Sequence, residues 1–214
     1  MTKTYGKRIK GLFQGRTRVI RWEPHKLLYV RVPKSGNSSI RHSIEGGEKH
    51  RMTSAAIIAS ARDWTTFSFV RNPWSRLVST FRHKASQDSD SRRMTDGVYQ
   101  GFLDAGLPIY KDMGFEEFCE IVCSVPDSQT DKHLRSQSSF LIRRNKPIVS
   151  FIGRIETMES DWQSLMELAA LDFAISHLNK TRRKHYRHYF SSQNLINLVG
   201  DRYAKDIHFF GYDF

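Results

Sequence analysis

The sequence predicts an α/β fold with a central, mostly parallel sheet. Two short apolar stretches, 27–30 and 67–70, have the length and the side chains of buried strands. Each is followed by a segment with apolar residues at helical spacing. Strands that alternate with helices are typical of parallel sheets, in which ligands bind at the carboxyl ends of the strands. We expect the 214 residues to form one domain, 1–214.

Two segments are predicted to lack regular structure. Residues 1–24 are basic and weakly patterned, so we expect an N-terminal lead-in. Residues 86–114 are polar and rich in Gly, which predicts a long loop that is mobile or lies on the substrate side. The predicted elements are a strand at 27–30, a helix at 38–44, a helix at 53–62, a strand and a helix over 66–85, a helix at 115–124, a strand at 148–152, a helix at 156–170 and a last helix capped at 191–193 and running to 203.

The chain is strongly basic, with 34 Lys and Arg against 22 Asp and Glu and a net charge of +12. Nucleic acid is the simplest partner for such a chain. The charges are scattered, however, and form neither a basic tail nor a repeated module of aromatic and basic residues. We therefore expect no nucleic-acid partner. A ligand with several negative charges would use some of the basic residues, and most of the others are expected at the solvated surface.

The two cysteines, Cys119 and Cys123, are four residues apart in the helix predicted at 115–124. This spacing places both on one face, where helical geometry does not favour a disulfide. We expect buried free thiols, consistent with a reducing compartment. A zinc site is the alternative, but no nearby His or Cys completes a set of four ligands, so we expect no metal.

The loop after the first strand has the residues of an anion-binding site. Residues 32–41 are VPKSGNSSIR. Gly36 lets the backbone approach a ligand, Lys34 adds a mobile charge, and Ser38 and Ser39 add hydroxyl donors. The start of the following helix offers N–H groups and a partial positive charge. The pattern therefore predicts a phosphate or sulfate ligand.

The order of residues in this loop argues against a nucleoside triphosphatase or a phosphate-loop kinase. Those proteins carry GxxxxGK[ST], in which Lys follows the last Gly. Here Lys34 precedes Gly36, and no earlier Gly lies in the loop. The loop instead resembles the 5′-phosphosulfate loop of sulfotransferases, PKxGx[ST]S. A loop that only caps a helix is the alternative from this motif alone.

A second motif strengthens this resemblance. Residues 67–79 are FSFVRNPWSRLVS, which is similar to the 3′-phosphate motif FxFVR[DN]PxxRLVS of sulfotransferases. Arg71 stands at the end of a strand, and Ser79 lies two turns into a helix that Pro73 begins. The resemblance extends over roughly 27–214. It is to the Golgi-type (family 2) carbohydrate sulfotransferases and their bacterial relatives, because the RKGxxGDW loop of the cytosolic phenol and steroid enzymes does not occur.

The resemblance implies a fold, a donor and a reaction. The fold would be a P-loop-like, three-layer α/β/α fold, and the donor 3′-phosphoadenosine 5′-phosphosulfate (PAPS), without a metal. A sulfuryl group would pass to a hydroxyl of a carbohydrate or another acceptor, possibly an anionic one. Lys34 is expected to act catalytically on the leaving phosphate. The donor-binding residues implied are Lys34, Ser35, Gly36, Asn37, Ser38, Ser39, Arg71, Ser79, Asn179, Lys180 and Thr181.

The general base is predicted among the histidines, because a hydroxyl must lose its proton near neutral pH. His50 lies between the two phosphate motifs, which resembles the position of the base in uronyl 2-O-sulfotransferases, and it is the first candidate. His133, in DKHLRSQ at 131–137, is similar to a family His in the substrate region and is the second. Weaker candidates remain: His42, His83, Glu45 and Glu48.

Other functions and the cellular location stay open at this point. The alternatives are a non-catalytic basic module that binds nucleic acid or anionic polysaccharide, and a phosphate-loop kinase. No apolar run is long enough to span a membrane, and no apolar signal core follows the basic N-terminus. We therefore expect a cytoplasmic enzyme without a membrane span, and the sequence makes no prediction about oligomeric state.

Overall fold

The structure, a computed structural model, describes residues 15–86, 94–176 and 184–214. These ranges contain nine strands and nine α-helices. The strands are β1 (Arg16–Trp22), β2 (Leu27–Val30), β3 (Glu48–Thr53), β4 (Thr65–Val70), β5 (Met94–Thr95), β6 (Val98–Tyr99), β7 (Ile142–Arg143), β8 (Lys146–Pro147) and β9 (Phe151–Arg154). The helices are α1 (Asn37–Ser43), α2 (Ser54–Ser60), α3 (Pro73–Lys84), α4 (Gln100–Asp104), α5 (Phe115–Ser124), α6 (Ser138–Leu141), α7 (Met158–Ala169), α8 (Gln193–Arg202) and α9 (Ala204–Phe210).

The central sheet has five strands in the order β3-β1-β2-β4-β9. β4 pairs in parallel with β2 on one side and with β9 on the other. β1 is antiparallel to both β2 and β3, so four of the five strands share one direction. The predicted α/β fold with a mostly parallel sheet is confirmed. The carboxyl ends of β2 and β4 lie side by side, about 5 Å apart.

Helices cover both faces of this sheet. On one face, Ile20 and Phe67 pack against Ile40 of α1 and Trp162 of α7. The opposite face packs against α2, α6 and α9, through residues that include Ile57 and Phe210. A third apolar cluster joins α3, α4, α5 and α8. The sheet therefore lies between two helical layers, as the three-layer prediction requires.

The predicted lead-in over 1–24 is wrong for residues 16–22, which form β1 inside the sheet. Val19, Ile20 and Trp22 are fully buried. Arginines interrupt this apolar stretch, and one of them, Arg21, lies with its guanidinium 4.4 Å from the centre of the Trp64 ring. A long basic side chain can cover apolar surface, so an arginine can occupy a strand position where an apolar residue would be expected. The sequence of β1 therefore lacks the regular apolar alternation that predicts a strand.

The predicted loop over 86–114 is wrong for its described part, 94–114. β5 and β6 form a hairpin there, and α4 follows. Phe102, Leu107 and Ile109 are buried in the helical cluster. Two-residue strands and a five-residue helix are too short to produce a periodic pattern, which is why composition alone suggested a loop.

The other elements agree with the prediction to different degrees. α5 spans 115–124 as predicted, and Ser192 caps α8 by accepting from the backbone N–H of Leu195. β3 and α9 were not predicted, and β9 begins three residues later than the predicted strand at 148. No helix within the described ranges has both the length and the apolar character needed to cross a bilayer.

The two cysteines are free thiols on α5, as predicted. Cys119 is buried and Cys123 half-buried. Burial raises the pKa of Cys123 to about 12 and raises that of Cys119 as well. Both thiols are therefore protonated at neutral pH and unreactive as nucleophiles.

Candidate functional site

The loop 31–36 connects β2 to α1 through two left-handed residues. Lys34 has φ +69° and Gly36 has φ +71°, whereas Ser35 between them has negative φ. Such alternation gives a concave backbone of the kind whose N–H groups point at an anion. A Cβ on Gly36 would lie 2.6 Å from Ile155 Cδ1 and 3.2 Å from Met158 Cε. Gly36 is thus required by its backbone conformation and by close packing on this side.

Asn37, the first residue of α1, holds the loop in place. Its Oδ1 accepts from Tyr29 Oη at 3.0 Å and from Arg31 Nε at 3.4 Å. Its Nδ2 donates to the carbonyl of Val32 at 2.6 Å. These hydrogen bonds of the Asn37 side chain hold the loop in its conformation.

The two predicted hydroxyl donors differ in their exposure, since Ser38 is exposed on α1 and Ser39 is buried.

Arg71 and Ser79 lie on one side of α3. Arg71 directly follows β4, and its Nε donates to Ser75 Oγ at 2.9 Å. Ser79 is half-buried one turn beyond Ser75, and residues four apart share a helix face. Asn72 begins the helix by accepting from the backbone N–H of Ser75 at 3.1 Å. Its own N–H donates to Glu156 Oε1 at 2.8 Å, which gives Glu156 a structural role.

One side chain joins the two motifs. Gln137 is fully buried, and its Oε1 accepts from Ser35 Oγ at 3.1 Å and from the Arg71 backbone N–H at 2.9 Å. Its Nε2 donates to the Arg71 carbonyl at 2.7 Å. The loop after β2 and the residue after β4 are therefore fixed relative to each other through a single amide. No sequence pattern predicts this contact, and the one indication is that Gln137 lies in the segment that contains His133.

Two buried charged residues support this connection. Asp206 of α9 accepts from the backbone N–H groups of Gln137 at 2.7 Å and Ser138 at 2.8 Å. Burial raises the pKa of Asp206, and these N–H groups together with Arg76 oppose the rise. Arg76 of α3 donates to the carbonyls of Pro33 at 2.9 Å and Arg135 at 2.8 Å. Segment 131–137 is thereby tied to the phosphate loop and to α3.

His133 lies on this segment, next to α3. Thr80, the neighbour of Ser79, donates from Oγ1 to the His133 carbonyl at 3.3 Å. His133 Nδ1 is 2.5 Å from Asp131 Oδ1. The imidazole packs edge-on against Tyr99, with ring centres 5.6 Å apart, and it is 15% exposed. The structure therefore places His133 about two turns along α3 from Arg71.

Burial sets the ionisation of the His133–Asp131 pair. It lowers the pKa of His133 to about 4, although the hydrogen bond and the charge of Asp131 oppose this shift. Burial alone would raise the pKa of Asp131, but the hydrogen bond and charge of His133 outweigh it and leave that pKa at about 2. At neutral pH the imidazole is neutral, Nδ1–H donates to the carboxylate, and Nε2 is the basic nitrogen.

His50 lies elsewhere, on the edge strand β3. It is opposite Val19 in the register, and Val19 is opposite Val30. His50 is thus level with the end of β2 but two strands away, about 10 Å. Its side chain shares a face with Val19 and Val30, opposite to the face that α1 covers. Nε2 is 3.2 Å from Glu48 Oε2.

A family model described as the sulfotransferase family matches residues 17–213. The chain belongs to this family. The match includes the phosphate loop, the Arg71 segment and residues 131–137. No curated protein and no solved structure matches the chain. Membership supports a sulfotransferase enzyme, that is, sulfuryl transfer in general.

Three of the predicted donor-binding residues remain. Asn179, Lys180 and Thr181 lie outside the described residues. Ser176, just before them, donates from its backbone N–H to Ser43 Oγ of α1 at 2.8 Å. Within the described ranges, no group of three or more His, Cys, Asp or Glu is arranged to hold a metal ion.

Proposed function

We propose that this sulfotransferase moves the sulfuryl group of PAPS to a hydroxyl of a carbohydrate acceptor. The observation that carries the proposal is the Gln137 amide, which bonds Ser35 and Arg71 at the same time. A donor with a 5′-phosphosulfate and a 3′-phosphate needs two anion sites at a fixed separation. The two motifs lie at the adjacent carboxyl ends of β2 and β4, where ligands of parallel sheets bind.

The residues of both sites suit these two anions. The 5′-phosphosulfate would lie against the concave loop, with Lys34 and the first N–H groups of α1 around it. The 3′-phosphate would lie on the face of α3 shared by Arg71 and Ser79. A guanidinium and a hydroxyl on one face give the charge-assisted hydrogen bonds that phosphate oxygens accept.

Lys34 has the chemistry needed at the leaving group. Negative charge grows on the bridging oxygen as the sulfuryl group departs, and a cation positioned there before the reaction stabilises it. The left-handed backbone of Lys34 fixes where its side chain leaves the loop. We propose that its ammonium contacts the 5′-phosphate of the product.

The contacts favour His133 over His50 as the general base. His133 lies beside α3 on a segment bonded to both motifs, and Asp131 fixes its tautomer so that Nε2 can take the acceptor proton. His50 is on the edge strand and faces away from α1. Asp131, the carboxylate that orients the His133 ring, was not part of our sequence prediction. It is the reason that we prefer His133 to His50 as the base.

A transfer assay tests the function. Sulfur-labelled PAPS is incubated with neutral and carboxylated polysaccharides, with ATP labelled in the γ-phosphate as the competing donor. We expect label in polysaccharide from PAPS and none from ATP. Label only from ATP would make the protein a kinase. If polysaccharide binds tightly but no label is transferred from either donor, the protein is a non-catalytic binding module.

The same assay separates the two histidines. His133→Gln should lower turnover by about 10²–10⁴-fold with little change in donor affinity, because a base contacts the acceptor proton. His50→Gln is the matched control and should retain turnover. Loss of turnover in the His50 variant alone would reverse the assignment.

A further inference from the structure

Residues from three elements surround the His133–Asp131 pair. Tyr99, the last residue of β6, packs its ring edge-on against the His133 imidazole, with ring centres 5.6 Å apart. Lys84, the last residue of α3, places its ammonium 3.7 Å from the centre of the same Tyr99 ring. Gly101, the second residue of α4, lies against the Asp131 carboxylate. We call Lys84, Tyr99 and Gly101 the supporting residues.

Gly101 leaves the space that Asp131 needs. A Cβ on Gly101 would lie 2.6 Å from Asp131 Oδ2 and 2.6 Å from Tyr99 Cε1. Both distances are too short for a carbon contact, so a side chain here would displace the carboxylate, the ring or both. The φ of Gly101 is not positive, and alanine favours a helix more than glycine does. Glycine at this position is therefore explained by the close approach of Asp131 and Tyr99, and not by the backbone.

This close approach matters because Asp131 holds His133 at two points. Asp131 Oδ1 accepts from the backbone N–H of His133 at 2.9 Å and lies 2.5 Å from Nδ1 of the ring. The other oxygen, Oδ2, is the atom that lies against Gly101. The carboxylate is thus held between the imidazole and α4. The proton therefore stays on Nδ1, and Nε2 is the basic nitrogen.

Tyr99 and Lys84 hold the His133 ring from another side. Tyr99 is 3% exposed and Lys84 is 6% exposed, so packing restricts both side chains. A cation over an aromatic face is attracted to it, and more strongly when the contact is buried. Lys84 lies one turn after Thr80 on α3, and Thr80 donates to the His133 carbonyl at 3.3 Å. α3 therefore contacts the backbone of His133 directly and its ring by way of Tyr99.

The charges around His133 favour its neutral form. Among the described residues, the ionisable groups that face it are Tyr99 of β6, Lys84 of α3, and Asp131 and Lys132 of its own segment. Burial is the main cause of the low pKa of His133, Asp131 opposes it, and the cations Lys132 and Lys84 add to it. An imidazolium formed at His133 is thus destabilised by burial and by two cations, which favours release of the proton after each turnover.

We propose that Lys84, Tyr99 and Gly101 are positioning residues for the general base, which hold the His133 ring and the Asp131 carboxylate in the arrangement that presents Nε2 to the acceptor proton. This inference rests on the proposed function. Each supporting residue acts through the His133–Asp131 pair. Orientation matters because proton transfer needs a hydrogen bond of defined geometry between the base and the acceptor hydroxyl.

Nuclear magnetic resonance of ring-nitrogen-labelled histidine tests the positioning without an acceptor. The natural chain should show His133 as one tautomer with the proton on Nδ1, and its titration midpoint should lie well below 6.5. Gly101→Ala should give a mixture of tautomers. Gly114→Ala is the matched control, because a Cβ there meets nothing within 4 Å and its φ is −66°. Lys84→Met should raise the midpoint by about half a pH unit, whereas Lys84→Arg, which keeps the charge, should not.

Transfer of labelled sulfuryl from PAPS to polysaccharide supplies the second readout. Gly101→Ala should lower turnover by at least about tenfold with an unchanged KM for PAPS, and Gly114→Ala should not. The inference is overturned if folded Gly101→Ala keeps the natural tautomer, or if Lys84→Met leaves the midpoint unchanged. A mixture of tautomers in the natural chain also overturns it and requires no variant to fold. Absence of transfer by a natural chain with the single tautomer would instead contradict the proposed function.

Discussion

Arg71 is the residue on which donor recognition depends most. It is half-buried at the end of β4, next to the N-terminus of α3, where an anion is also favoured by the helix dipole. Its Nε is already bonded to Ser75, so the guanidinium has a defined orientation. A positioned guanidinium loses little side-chain entropy when it binds phosphate.

Arg71→Ala should therefore weaken binding of adenosine 3′,5′-bisphosphate by about 10- to 150-fold, the equivalent of about 1.5–3 kcal/mol for a charge-assisted hydrogen bond. Calorimetric titration measures this. Arg62→Ala removes an exposed arginine in the turn between α2 and β4 and should leave the affinity unchanged. If the Arg71 variant folds and binds the bisphosphate with the natural affinity, the motif has a structural role and does not bind the donor.

The His133–Asp131 pair predicts a pH dependence of stability. The folded-state pKa of His133, about 4, is below its ordinary value of 6.5, so the unfolded chain binds more protons between these values. The free energy of unfolding should therefore fall as pH falls from about 6.5 to 4. The lowered pKa of Asp131 continues this loss toward pH 2, in the same direction.

Chemical denaturation at a series of pH values tests this. His133→Gln should flatten the slope between about pH 6.5 and 4, because the group that takes up the proton is gone. Gln163→Leu, which changes an exposed amide on α7 and no titratable group, is the control and should keep the natural slope. An unchanged slope in the His133 variant would mean that another group titrates in this range.

At the scale of elements, segment 131–137 holds the site together. It lies along α3 and contacts the phosphate loop through Gln137 and, by way of Arg76, through Pro33. Asp206 anchors the segment from the far end of the chain. The relative position of the two phosphate motifs thus depends on residues that contact no ligand themselves.

Gln137→Leu should weaken bisphosphate binding and lower stability together. The change leaves Ser35 Oγ and both backbone groups of Arg71 without their present partner, and each buried polar group left unsatisfied costs about 1–3 kcal/mol. Gln163→Leu, which removes an exposed amide on α7, is the control. Natural bisphosphate affinity in a folded Gln137 variant would show that the bridge does not position the site.

The elements that could be predicted are those with a local signal. β2, α1, β4 and α3 carry runs of apolar residues at the spacing of their structure, and the phosphate loop and Arg71 lie at their ends. β1 was missed because arginines interrupt its apolar residues, and β3 because its exposed edge is polar. Gln137 bonds Ser35 across 102 residues of chain, a contact that no local pattern contains.

At the scale of the whole molecule, the sheet order explains the layout of the proposed site. Adjacent parallel β2 and β4 bring the two anion-binding segments together, and β1 and β3 extend the same edge with arginines. Part of the net charge of +12 is therefore concentrated around one edge of the sheet. Basic residues that are scattered along the sequence are brought to one edge of the sheet by the register of the strands.

The most direct test of the donor site is a pair of calorimetric titrations, with adenosine 3′,5′-bisphosphate and with adenosine 5′-monophosphate. The two ligands differ only in the 3′-phosphate, which Arg71 and Ser79 are proposed to hold. We predict that the bisphosphate binds at least tenfold more tightly, and that this difference disappears in Arg71→Ala. Equal affinity for the two ligands in the natural chain would contradict the assignment of these motifs to a 3′-phosphorylated donor.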